Sequence, residues 1–141
     1  MNRIITLIFV LCISLIAACD AYYRDVSDST KYSGRIGQEC KTLKPLYAYG
    51  YITDFSTRAT HAVSLYDKEM YYPRSFHTFR VVIPSATRIK IVSARECWNC
   101  LDFERISYQV LITNVSKLDQ YPIYAKEDVM SSENVQCSVE N

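Results

Sequence analysis

Arg105-Ile106-Ser107-Tyr108-Gln109-Val110-Leu111-Ile112-Thr113 decides the reading of the fold. Ile106, Tyr108, Val110 and Ile112 recur at every second position, which is the period of a strand with one buried face. Working toward the C-terminus, Asn114–Asp119 reads as a loop. Tyr121–Ala125 follows as a short strand, and Pro122, which cannot donate to a ladder, predicts that it lies at a sheet edge. The polar stretch Ala125–Ser132, with Lys126-Glu127-Asp128, tolerates a short helix. Val135–Val139 reads as the last strand.

Working toward the N-terminus, Arg88–Val92 alternates isoleucine with basic residues. Phe76–Ile83 places Phe79, Val81 and Ile83 on one face and Arg80 and Val82 on the other. Pro84-Ser85-Ala86-Thr87 separates these two runs, so they read as a hairpin. His61–Tyr66 is a further strand, and Asp54–Arg58 is a loop. Leu46–Ile52 alternates strictly, with Tyr47, Tyr49 and Tyr51 on one side and Leu46, Ala48, Gly50 and Ile52 on the other. No window of twelve residues carries an amphipathic helical pattern, and no internal repeat is present. Six or seven short strands with regular turn signals predict an all-β domain, a small antiparallel β-barrel or sandwich. The short chain favours a partly open barrel.

The first eighteen residues differ from this pattern. Arg3 precedes an apolar-dominated run, Ile4–Ile16, and two small residues, Ala17-Ala18, lead to Cys19 and Asp20. A positive start, a short apolar middle and small residues before a cleavage point are the layout of a secretory signal. The run is shorter than the roughly 20 apolar residues of a transmembrane helix. Ile16-Ala17-Ala18-Cys19 resembles the lipobox of bacterial lipoproteins. That resemblance implies cleavage before Cys19, fatty acylation of its thiol and new amino terminus (palmitate among the acyl groups), and a lipid anchor in the membrane. It places the protein in the cell envelope, facing the periplasm. Asp20 at the next position implies the inner membrane, by the rule of the enteric version, with the outer membrane as the alternative. The expected organisation is a signal peptide over 1–18, the lipidated cysteine and a tether over 19–38, and a β domain over 39–141. The tether shows no period and is rich in polar and turn residues.

Composition narrows the partners. Without Arg3, fifteen Lys and Arg face fifteen Asp and Glu. Nucleic-acid binders carry a basic excess, so no nucleic acid is expected as a partner. Twelve tyrosines against three glycines favour strands and half-buried surfaces and leave little for a phosphate-cradling loop.

Six cysteines are present, with Cys12 inside the apolar run and Cys19 at its end. Cys40, Cys97, Cys100 and Cys137 remain, an even set that reads as two disulfides in an oxidising compartment. A four-residue turn brings Cys97 near Cys100, and Cys40 with Cys137 then ties the start of the domain to its end. This nested pairing is one of three connectivities that four cysteines allow.

Cys97-Trp98-Asn99-Cys100 also matches the C-x-x-C of thiol–disulfide redox proteins, but no helix pattern adjoins it to lower a thiol pKa. A four-thiolate zinc site lacks its second close pair, so no metal and no cofactor is expected. His61 and His77 have no adjacent nucleophile motif, and no serine sits in a G-x-S-x-G elbow; no catalytic residue is assigned. The candidate binding surface is Trp98 and Asn99 at the crown of the stapled turn, with the tyrosine face Tyr47, Tyr49 and Tyr51. The functional expectation is a non-enzymatic, membrane-anchored binding or structural module whose partner is another envelope protein. A redox protein using Cys97 and Cys100, and an inhibitor or immunity protein presenting the Trp98–Asn99 loop, are the alternatives.

Overall fold

The structure is a computed structural model, which describes residues 22–54, 59–71, 76–98, 100 and 106–138. They form nine strands: β1 (Tyr22–Asp25), β2 (Glu39–Thr42), β3 (Leu46–Asp54), β4 (Ala59–Tyr66), β5 (His77–Ile83), β6 (Arg88–Trp98), β7 (Ile106–Ile112), β8 (Ile123–Lys126) and β9 (Val135–Cys137). Among the described residues the one helical element is a 3-10 turn, Ser33–Arg35. The fold is all-β, as the period-2 patterning predicts. The strands join one sheet in the order β5-β3-β4-β8-β7-β6-β2-β9, with β1 beside β6. It is not closed into a barrel.

Two short connections show how strongly the sheet curls. Thr42 ends β2 and Leu46 starts β3, a span of at most about 14 Å of extended chain. Yet β2 and β3 are five ladder steps apart in the sheet, about 24 Å if it were flat. Pro84–Thr87, between β5 and β6, makes the same demand. The Thr42 side chain fastens this closure. Its hydroxyl donates to Pro84 O at 2.9 Å and accepts from Thr87 N at 2.9 Å, while Thr42 O accepts from Ala86 N at 2.7 Å. Ala86 adopts a positive φ of 66° to make that turn. One face of the sheet thereby folds over a single aliphatic core that includes Leu46, Val63, Ile83, Ile91, Val110 and Ile123.

The strand β6 is the spine. Its first half pairs with β2 (Cys40↔Ile89) and its second half, on the same edge, with β1 (Tyr23↔Cys97). A register shift between Ile91 and Ser93 marks the changeover. The bulge also ends the simple alternation of isoleucine and basic residues.

Several expectations change here. Arg88–Val92 and Phe76–Ile83 do not form a hairpin: β5 pairs with β3, while β6 pairs with β7. The breaker Pro84–Thr87 is a crossover held by Thr42, not a hairpin turn. Tyr121–Ala125 does not lie at an edge. Its strand, β8, sits between β4 and β7, parallel to the first and antiparallel to the second. Pro122 precedes the strand, and its carbonyl accepts from Val63 N at 3.0 Å, so the missing N–H costs the ladder nothing. Residues 127–134 are turns rather than a helix.

The stretch read as a tether is, from Tyr22 onward, part of the folded body. Val26 N donates to Ala94 O at 2.9 Å, and Ser27 Oγ accepts from Ala94 N at 2.9 Å, extending the ladder through a side chain. Tyr32 is buried edge-on against Tyr108, with ring centroids 6.3 Å apart. Arg35 lies 4.8 Å over the Tyr108 ring, donates to the Tyr108 hydroxyl at 3.1 Å, and donates to Met130 O at 3.0 Å. Gly37, at φ 89°, turns the chain into β2, where its N–H reaches Ile91 O at 2.8 Å. A polar, aperiodic sequence hides this docking because its anchors are single residues and not a repeating face.

Candidate functional site

Two regions carry the residues singled out from the sequence. The first is the face of the sheet opposite the aliphatic core. Its tyrosines do not form one open platform. Tyr49 is buried: its hydroxyl accepts from Met70 N at 3.0 Å and donates to Met70 O at 3.1 Å. Its ring meets Tyr66 and His77 edge-on, at centroid distances of 5.7 and 5.6 Å. Tyr49 is therefore a small second core. Tyr47 and Tyr51 are half-buried beside it.

Tyr51 belongs to a cluster that spans the sheet. Arg95 of β6 stacks between two rings, its guanidinium carbon 3.3 Å from the Tyr124 centroid and 4.1 Å from that of Tyr23. Its Nε donates to Ser107 Oγ at 3.0 Å. Burial pushes the Tyr51 hydroxyl pKa up, while the Arg95 charge and its hydrogen bond to Tyr51 pull it partly back. Strands β3 and β6 are not neighbours, so twist must bring these side chains together. A sheet of fixed twist is saddle-shaped, and its two diagonals fold toward opposite faces. The start of β3 and the start of β6 close over the aliphatic core. The end of β3 and the end of β6 close over Tyr51, Tyr124, Tyr23 and Arg95.

The second region is the far end of β6. Cys97 is buried and paired with Cys100, with Cα atoms 5.8 Å apart. Cys40 is paired with Cys137, across directly opposed positions of β2 and β9. The nested connectivity is the one found. Trp98 is half exposed and stands directly opposite Tyr22 of β1. Behind them, Arg24 stands opposite Glu96 and Asp25 opposite Arg95 in the register, so residues of opposite charge share each of these positions of the ribbon. The Asp25 carboxyl sits below its ordinary range because the Ser27 side chain and then the Ser27 backbone N–H hydrogen-bond to it, the latter at 2.8 Å. Asn99 and Cys19 lie outside the described residues.

Cys97 lies in a strand, away from any described helix N-terminus that would stabilise a thiolate. His61 is exposed on β4, and His77 packs against Tyr49 with its Nδ1 buried and without a hydrogen-bond partner. No group of three or more His, Cys, Asp or Glu among the described residues is placed to hold a metal ion. Sequence reasoning missed Tyr22, Tyr23, Arg95 and Tyr124. The first two lay in the stretch read as a tether, Arg95 lay beyond the strand read over Arg88–Val92, and Tyr124 sat in the short strand Tyr121–Ala125, to which no surface role was assigned. Comparison with protein-family models, with curated proteins and with solved structures finds no match to this chain.

Proposed function

We propose that this protein is a bacterial envelope lipoprotein, held to a membrane through acylated Cys19. Its disulfide-stapled β domain acts without catalysis, as a binding or structural module for another envelope protein. The observation that carries the reading is the allocation of cysteines. Two cystines take up Cys40, Cys137, Cys97 and Cys100, and Cys12 belongs to the apolar run. Cys19, at the end of that run and after two alanines, is left for another chemistry. Two cystines in a domain of this size also fit an oxidising compartment. Two or more acyl chains suffice for stable anchoring, since each buried methylene contributes about 0.8 kcal/mol.

The partner surface in this reading is the tyrosine face. Tyr47, Tyr51 and Tyr124 are half-buried there, each joining an apolar ring to a hydrogen-bonding tip. Metabolic labelling with a palmitate analogue tests the anchor. The native chain should take up the label and fractionate with membranes. Cys19→Ala should take up no label and should accumulate as the unprocessed precursor, and the native chain treated with globomycin should likewise remain uncleaved. Unchanged processing and fractionation of Cys19→Ala would remove the reading.

A further inference from the structure

The folded body begins so close to Cys19 that it has almost no leash. Tyr22 is already hydrogen-bonded into β1, three residues on. Three Cα steps reach about 10 Å at full extension. An acyl-cysteine in the leaflet therefore holds the end of the β1–β6 ribbon at the headgroup layer. That end carries aromatic residues. Tyr22 is 63% exposed and Trp98 51%, side by side as register partners, and Tyr23 is 49% exposed on the other side of the ribbon. Among the described residues, the charges next to them stand in register pairs of opposite sign, Arg24 with Glu96 and Asp25 with Arg95, so those of the ribbon balance. Trp and Tyr are the side chains that settle at a membrane–water boundary, ring toward the acyl chains and polar atom toward water.

Resting on the reading that Cys19 is acylated, we infer that Tyr22, Trp98 and Tyr23 form a second membrane contact. They seat in the headgroup layer of the same leaflet and fix the orientation of the sheet. A protein partner at this tip would have to fit into the roughly 10 Å that the chain leaves between leaflet and body. The bilayer itself is the occupant already within reach. In this orientation the tip of β6 points into the membrane surface and its start, beside β2, points away from it.

Trp98 is the single tryptophan of the chain, so its fluorescence reports on this site alone. The acylated full-length protein would be reconstituted in phosphatidylcholine vesicles, plain or with lipids brominated high on the acyl chain. Mass spectrometry of the mature N-terminus would be run on the same sample. The expected result is blue-shifted emission, protection from aqueous iodide, and loss of roughly half the emission in brominated vesicles, because interfacial aromatics lie within about 5–10 Å of the headgroup–acyl boundary. Acylated protein whose Trp98 is fully open to iodide and indifferent to bromine overturns the contact and leaves the anchor standing. Protection from iodide without bromine quenching assigns the tip to a protein or a second copy and also overturns it. A mature chain without acyl groups overturns the anchor, and the contact falls with it.

Discussion

The two halves of β6 share one edge but are built differently. The first half, beside β2, is dry and aliphatic: Ile89 and Ile91 are fully buried, and β2 is bound to β9 through Cys40–Cys137. The second half, beside β1, still buries Ala94 and Cys97, but its neighbour and its tip are open and aromatic: all four residues of β1 are exposed, and the ribbon ends at Tyr22 and Trp98. A long strand can serve as core at one end and as contact surface at the other, provided a bulge resets its facing between them. The register shift between Ile91 and Ser93 does this. The first half holds the domain together across a sequence separation of 97 residues, whereas the second presents side chains outward.

If that division is correct, the two cystines should differ most. Removing Cys40–Cys137 with Cys40→Ser opens a closed loop of nearly the whole domain, worth about 4 to 5 kcal/mol in the chain-entropy model. Removing Cys97–Cys100 with Cys97→Ser opens a loop so short that the same model gives about 2 kcal/mol. Denaturant unfolding midpoints measure both. Equal losses would erase the distinction between a structural half and a presenting half.

A finer break is available in the segment that joins the halves. Arg35→Met keeps an apolar stem but removes the bonds to the Tyr108 hydroxyl and Met130 O, and the contact over the Tyr108 ring. The expected cost is about 1 to 3 kcal/mol, because the partners lose a charged donor in a partly buried place. Amide hydrogen exchange should show 26–38 and β1 opening together while β2 and β9 stay protected. Uniform loss of protection would instead make the docked segment part of the core.

The smallest effect belongs to Asp25. Its folded pKa is lowered, so its stabilisation is complete above the unfolded value near 3.8 and is lost as pH falls through the lower folded value. The carboxyl is almost wholly exposed, which keeps the effect below about 1 kcal/mol. Unfolding of native protein and Asp25→Asn, followed across the acid range, should show a difference at neutral pH that closes as the native carboxyl protonates. A gap independent of pH would place the role of Asp25 in its side-chain geometry and not in its charge.

Sequence alone determined the local facts about this chain. Period-2 alternation specified the inward faces of β3, β5 and β7, because one buried face must repeat at every second residue. The cysteines were placed where nested cystines were geometrically feasible. Only the tertiary structure decided what depends on partners far along the chain. It inserted β8 between β4 and β7 despite Pro122, and sent β5 and β6 to separate parts of the sheet. Through Tyr32 and Arg35 it drew a polar, aperiodic stretch into the body. It also buried Tyr49 while leaving Trp98 open, although both lie on strands and both are aromatic. The physical reason is that alternation tells which side of a strand faces inward but carries no information about which strands become neighbours. Twist, which folds the two diagonals of the sheet toward opposite faces, acts only once those neighbours are in place.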